Sequence, residues 1–139
     1  LLHVTFHKPI SGNYRKRLLA ALNRLVRDYS NTRIVLSGLG IYHDNVVVRI
    51  QPTYAVASLW VDVRKLVEQI ANEKGNNDDM LHVTIFKKVP DIQNVKFFDL
   101  ENTIPLTGFE SPFEYVCLFE KVYGSNWVEI QRLPLIGKT

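Results

Sequence analysis

Two short strings that match each other constrain this chain more than any other feature of its sequence. They are His3-Val4-Thr5-Phe6 and His82-Val83-Thr84-Ile85, and each has a composition typical of a β-strand. Successive side chains of a strand point to opposite faces, so the histidine and threonine of each string share one face and the apolar residues share the other. Each string therefore predicts a strand that buries an aliphatic face and presents an imidazole and a hydroxyl together.

The repetition of the string predicts one composite site. A single His-x-Thr string is common, because threonine favours strands and any histidine has some neighbour. Two copies in the same apolar register, each with a lysine five positions after its histidine, are much harder to obtain by chance. We interpret the strings as two halves of a catalytic site formed by His3, Thr5, His82 and Thr84.

Length and composition predict one globular domain. A chain of 139 residues is long enough to bury a proper core, so we expect a single domain over 1–139. No apolar run approaches the roughly 18 residues that a membrane helix needs, and we expect no membrane partner. The single Cys117 lies in an apolar run, which predicts a small buried side chain and a reducing, cytoplasmic location. A net charge of +3 permits an anionic substrate without demanding one.

Periodicity predicts an α+β fold. Apolar residues at helical spacing indicate one helix over 13–29 and a second over 58–75, capped by Ser58 and Gly75. Beside the two motif strands, β-rich runs are predicted at 33–37, 45–50, 113–122 and 127–133, with a loop at 76–79 and a hairpin turn at 123–126. We expect two pseudo-symmetric lobes, about 1–57 and 76–139, whose antiparallel sheets form a central cleft. The second helix bridges the lobes, and the helices pack outside.

The residue types favour phosphodiester cleavage over other chemistries. A metal site needs more ligands than the motifs supply, and a nucleophilic triad needs a serine or cysteine beside an oriented histidine. A histidine pair suits cleavage by an internal ribose hydroxyl, because one neutral imidazole takes a proton and one protonated imidazole gives one. The threonine hydroxyls can bind the non-bridging phosphate oxygens. We expect neither a metal nor another cofactor.

The paired motif resembles the signature of the two-histidine (2H) phosphoesterase superfamily. The order of motif, helix, hairpin, helix, motif and hairpin resembles that fold through nearly the whole chain. The strings at 38–42, 45–50 and 135–138 are most similar to the branch that holds a kinase-anchoring protein domain and the 2′,5′-phosphodiesterases of coronaviruses, toroviruses and rotaviruses. The resemblance implies degradation of 2′,5′-oligoadenylate, which activates host ribonuclease L. It also leads us to expect a domain of a larger viral polypeptide.

Three further residues are candidates for substrate binding. Counting alternate positions from the motif histidines places His7, Phe86 and Lys88 on the motif faces of their strands. Phe86 could stack on an unpaired base, and Lys88 could attract a phosphate. In the alternative interpretation, Phe86 packs between the lobes and Lys88 is simply solvated.

The sequence leaves three functions open. The first is a metal-independent 2′,5′-oligoadenylate phosphodiesterase. The second is a 2H enzyme acting on a 2′,3′-cyclic phosphate or on an RNA 3′ end. The third is a non-catalytic RNA- or protein-binding module on the same fold, against which the intact histidines and threonines of both motifs argue.

Overall fold

The computed structural model describes residues 4–73, 81–96, 99, 108–121 and 127–136.

The first helix agrees with its prediction. Helix α1 spans Arg15–Leu25, and 3₁₀ turns at Gly12–Tyr14 and Val26–Asp28 extend it on both sides. Helical backbone therefore runs from 12 to 28, which confirms the predicted helix over 13–29.

The second helix begins and ends earlier than predicted. Helix α2 spans Tyr54–Ala71. Its N-cap is Thr53 rather than Ser58, because the Thr53 hydroxyl accepts a hydrogen bond from the Val56 amide at 3.3 Å. The helix ends at Asn72, which adopts the left-handed conformation that the predicted cap at Gly75 was expected to supply. Gly75 itself lies outside the described residues.

Strands of the described residues form two antiparallel sheets. The larger sheet has the order β3-β2-β1-β4 and the smaller pairs β5 with β6. The strands are β1 (Thr32–Tyr42), β2 (Asn45–Gln51), β3 (His82–Phe86), β4 (Glu110–Phe113), β5 (Tyr115–Lys121) and β6 (Trp127–Pro134). The predicted runs correspond to β1, β2, β5 and β6, whereas β4 was not predicted. The loop predicted at 76–79 and the turn predicted at 123–126 lie outside the described residues.

Strand β1 is longer than the predicted run at 33–37 and includes two glycines. The chain continues in β conformation through Gly38 and Gly40, and it reverses only at His43 and Asp44 to enter β2. A bulge at Ser37 interrupts the pairing with β2, and Gly38 beside it has a φ of 131°, which favours glycine. Both glycines therefore lie inside one strand, whose pairing is interrupted by a bulge beside Gly38.

Helix α2 joins the two sheets. One core cluster packs both helices against the smaller sheet, and its buried members include Leu22, Leu59, Val63 and Leu133. A second cluster packs the start of α2, through Val56, against the larger sheet. One helix thus provides a common support for both sheets.

The observed class is α+β with two lobes, as predicted, but the sheets do not follow the two halves of the sequence. The larger sheet combines β1 and β2 from the first half of the chain with β3 and β4 from the second. The predicted lobe boundaries, about 1–57 and 76–139, therefore do not correspond to the sheets. The reason is long-range pairing: the second motif strand pairs with the hairpin of the first half.

Candidate active site

The second motif lies on a fully paired strand. In β3, His82 is opposite Arg49 of β2, Val83 is opposite Val48, and Thr84 is opposite Val47. Partners in an antiparallel pair project to the same face. His82 and Thr84 therefore share a face with Arg49 and Val47. Val83 packs against the second core cluster, between the start of α2 and the larger sheet, which we call the cluster beneath α2. The pairing shows the predicted alternation of faces from His82 to Thr84, and all three residues of this stretch are partly buried.

The first motif lies beside the second. Val4 forms an antiparallel bridge with Val83, and both valines pack against the cluster beneath α2. Continuing this register by one residue places Thr5, which is exposed, opposite His82 on the polar face. The strand predicted for this motif is reduced to that single bridge in the described residues. His3 lies outside them.

Helix α2 also holds the first motif. The indole Nε1–H of Trp60 donates a hydrogen bond to the backbone oxygen of Phe6 at 3.2 Å. The Phe6 ring stacks on Phe113 of β4, with ring centroids 5.9 Å apart. The backbone that follows Thr5 is therefore fixed by contacts from two separate elements.

A bulge in β3 corrects the predicted position of Phe86. Thr84 pairs with Val47 but Phe86 pairs with Val46, so Ile85 is an extra residue and the alternation of faces shifts. Phe86 therefore belongs by register to the face of Val46 rather than to the face of His82. Counting alternate positions failed here because the sequence carries no signal of the bulge.

Phe86 lies at an open groove of about 460 Å³ at the end of β3. Phe86 is 47% exposed, and Lys87 and Lys88 line the groove with it. The apolar part of the groove is lined by Val46, Ile85, Val89, Pro90 and Val95. The groove combines one aromatic ring with two lysines, Lys87 and Lys88.

Lys88 and His7 are both displaced from their predicted strand positions. Lys88 has a φ of 52°, and its amide donates to Oδ1 of Asn45 at 3.1 Å, so it belongs to a turn. The backbone bends at His7, whose Nδ1–H donates to the Lys8 carbonyl oxygen at 2.8 Å. His7 Nε2 is buried and has no hydrogen-bond partner among the described residues. Neither residue lies in a regular strand, so counting alternate positions does not place either of them on the face of His82 and Thr84.

Tyr42 is a neighbour of the site that the sequence analysis missed. Gly38, Gly40 and Tyr42 alternate along β1, and Gly40 is opposite Val47, so these three residues lie on the motif face. The Tyr42 ring contacts the His82 ring, with centroids 4.5 Å apart. The signal that could have found it is the alternation Gly-x-Gly-x-Tyr, which leaves one face of a strand open beside an aromatic ring.

The described residues favour neither a cysteine nucleophile nor a metal centre. Burial raises the pKa of the Cys117 thiol, and the nearby Glu129 carboxylate raises it further, so the thiol stays protonated and is a poor nucleophile. Within the described ranges, no group of histidine, cysteine and carboxylate side chains could hold a metal ion. Among the helices in these ranges, none is long and apolar enough to cross a membrane.

Solved structures share this fold. The protein TT0787 of Thermus thermophilus is 19% identical and superposes with a TM-score of 0.74, covering 99% of this chain and 80% of that one. E. coli LigT in its apo form is 18% identical with a TM-score of 0.65, covering 97% and 76%. LigT complexed with 3′-AMP is 18% identical with a TM-score of 0.64, covering 96% and 76%.

These likenesses establish the fold class. No family model and no curated protein matches the sequence. At 18–19% identity, the structural likeness shows that the chain has the LigT-like 2H phosphoesterase fold. This confirms the fold that the paired motifs led us to expect.

Proposed function

We propose that this chain is a metal-independent phosphodiesterase that cleaves 2′,5′-oligoadenylate by two-histidine acid–base catalysis. The observation that supports the proposal is the bridge between Val4 and Val83, which brings the described part of the first motif beside the second. Continued by one residue, that register puts Thr5 opposite His82, whose face Thr84 shares. In this proposal an imidazole and two hydroxyls from distant parts of the chain act on one phosphate.

The reaction that these groups suit is attack by a ribose hydroxyl on the adjacent phosphate. In a 2′,5′ linkage the free 3′-hydroxyl lies next to the phosphorus, so no external nucleophile is needed. One histidine takes the proton from the 3′-hydroxyl, and the other gives a proton to the departing 5′-oxygen. The 3′-oxygen–phosphorus bond forms as the phosphorus–5′-oxygen bond breaks. The products are a 2′,3′-cyclic phosphate and a 5′-hydroxyl.

The threonines and the groove supply binding in this proposal. The hydroxyls of Thr5 and Thr84 bind the non-bridging oxygens, on which charge builds in the transition state. The groove at the end of β3 is off the face of His82, so in this proposal it binds a more distant part of the oligoadenylate, where Phe86 stacks on a base and Lys88 attracts a phosphate. LigT, which shares the fold, has been crystallised with 3′-AMP and with phosphate. A ligand of this chemical class is therefore compatible with the fold.

The biological setting follows from the branch resemblance. Cleavage of 2′,5′-oligoadenylate would remove the activator of ribonuclease L, so we propose that the chain antagonises this response in the host cytoplasm. The parent protein in this proposal is a larger viral polypeptide. A reporter of ribonuclease L activity in cells that express the chain, compared with a His82→Ala variant, tests this part.

The direct test compares linkages and products. The protein is incubated with 2′,5′-linked and 3′,5′-linked oligoadenylate, and the fragments are identified by mass spectrometry. We expect preferential cleavage of the 2′,5′ linkage with a 2′,3′-cyclic phosphate product, and no cleavage of an analogue that lacks the attacking 3′-hydroxyl. Release of 5′-AMP, or cleavage of the 3′-deoxy analogue, would show that water is the nucleophile. Cleavage of cyclic phosphates or RNA ends alone would identify a different 2H substrate.

Chelation and pH test the acid–base assignment. EDTA should leave the rate unchanged, because the proposed chemistry needs no metal. The rate should be bell-shaped in pH around neutrality, because one histidine must be neutral and the other protonated. Loss of activity in EDTA that a divalent ion restores would instead indicate a metal-activated hydroxide.

A further inference from the structure

The motif face carries a cation to which the two motifs assign no role. Arg49 of β2 is directly opposite His82 of β3. Directly opposed residues of an antiparallel pair have Cβ atoms about 4.5–5.5 Å apart and project to the same face. A positively charged side chain therefore emerges next to the imidazole of the second motif and on its polar side.

The Arg49 guanidinium lies on a glycine of the neighbouring strand. A Cβ atom built on Gly40 would lie 2.5 Å from Nε of Arg49, 3.0 Å from Nη2 and 3.1 Å from Cζ. No side chain could occupy this position without moving the guanidinium. Gly40 is opposite Val47, and Val47 is opposite Thr84, so these three residues form one row across the sheet. The guanidinium lies at the Gly40 end of this row.

Aromatic and imidazole rings flank this position. Tyr42 lies one alternate position beyond Gly40 on β1, and its ring reaches the His82 ring with centroids 4.5 Å apart. Tyr42 and His82 thus meet from strands on either side of β2, which carries Arg49. Arg49, His82 and Thr84 therefore belong to the same face of the larger sheet.

Arg49 differs from the arginines that have structural partners. Arg15, Arg33 and Arg132 each pair with a glutamate at 3.0–3.2 Å. Over the described ranges Arg49 forms no such ion pair, and its side chain is exposed. A guanidinium held against a glycine, on the sheet face that also carries His82 and Thr84, presents its donors to an anion from solution. Its planar fork matches two oxygens of one phosphate.

We propose that Arg49 binds the non-bridging oxygens of the scissile phosphate, and that Gly40 provides the space in which its guanidinium lies. The inference rests on the proposed phosphodiesterase function and deepens it. Arg49 neutralises charge as it builds on the phosphate oxygens, while the histidines move protons. Gly40 is a positioning residue that acts through Arg49.

The first test measures cleavage of 2′,5′-oligoadenylate by Arg49→Ala and Arg49→Lys. Loss of a donor to a developing oxyanion costs about 100- to 1000-fold in turnover, and we expect Arg49→Ala to fall in this range. Arg49→Lys keeps the charge but loses the two-pronged contact, so it should fall between the alanine variant and the wild type. Arg24→Ala, which removes the same charge from the exposed surface of α1, should match the wild type.

Phosphorothioate linkages separate binding from a structural role. Arg49 contacts particular oxygens, so the wild type should prefer one phosphorothioate diastereomer, and Arg49→Ala should lose much of that preference. Gly40→Ala should lower turnover in the same direction by at least about tenfold, because its methyl group displaces the guanidinium. Gly12→Ala is the matched control, since nothing lies within 4 Å of a Cβ built there.

A binding measurement tests Arg49 independently of the substrate. In ¹⁵N-labelled protein titrated with inorganic phosphate, the side-chain Nε–H resonance of Arg49 should shift and saturate, while that of Arg24 should not. If phosphate leaves the Arg49 resonance unchanged, or if Arg49→Ala keeps wild-type turnover and diastereomer preference, the assignment of Arg49 is wrong. The phosphodiesterase proposal survives both results, because it fails only if the wild type cleaves no 2′,5′-oligoadenylate.

Discussion

The two His-x-Thr motifs have nearly the same sequence but are held by different means. The second motif is part of β3, which pairs with β2 at Val46 to Arg49. In the described residues, the first motif has one backbone bridge, at Val4, and one side-chain anchor, from Trp60 to Phe6. The second motif therefore has a partner strand along β2, whereas the described part of the first motif is held by one backbone bridge and one side-chain hydrogen bond.

The largest expected effect comes from the firmly held motif. His82→Ala should lower turnover at least about 100-fold, the lower end for general acid–base catalysis. Thr84→Ala should lower it about tenfold, the equivalent of one hydrogen bond of about 1.4 kcal/mol. Steady-state kinetics on 2′,5′-oligoadenylate, with circular dichroism to verify folding, measures both. A folded His82→Ala protein with near wild-type turnover would remove the second motif from the chemistry.

The second prediction concerns the strand that supports the second motif. Val47 has no exposed surface and lies opposite Thr84, so Val47→Ala should lower the free energy of unfolding by about 2 kcal/mol. Val61 of α2 is 44% exposed, and Val61→Ala should change it by no more than about 0.5 kcal/mol. Urea denaturation gives both values. Equal effects would mean that β2 is not the rigid support that this comparison assumes.

The third prediction concerns the anchor of the first motif. Trp60→Phe removes the indole donor to the Phe6 carbonyl, at a cost of about 1 kcal/mol in stability. Because the lost hydrogen bond is made to the first motif, and the second is also held by its pairing with β2, amide exchange should accelerate more around Val4 and Thr5 than at Val83 and Thr84. Trp127→Phe, at an exposed position on β6, should alter neither segment. Equally accelerated exchange in both motifs would show that they do not have separate supports.

Most of the fold could be predicted from the sequence, because helical periodicity and β-branched runs are local signals. Both helices and five of the six strands, all except β4, correspond to predicted segments. Strand β4 was missed because it is short and contains Pro112, which an edge strand tolerates. The run predicted at 33–37 was too short, because pairing with β2 continues β1 through Gly38 and Gly40 to Tyr42.

The site could be predicted only in part. The motif strings identify His82 and Thr84 and their common face, since alternation holds up to Thr84. It fails at Phe86, where the bulge at Ile85 reverses the faces. Arg49 could not be assigned, because its position opposite His82 depends on cross-strand register. The Gly-x-Gly-x-Tyr alternation points to Tyr42 but not to its contact with His82, which joins strands that are not neighbours. Long-range register is absent from the local sequence pattern.

A double-mutant cycle on the two histidines tests the central claim that the differently held motifs form one catalytic unit. Turnover of 2′,5′-oligoadenylate is measured for His3→Ala, His82→Ala and the double variant. Groups that act as a unit show non-additive losses, so the double variant should be little slower than either single variant. Losses that add in free energy, or a His3→Ala protein that keeps near wild-type turnover, would contradict a single two-histidine site.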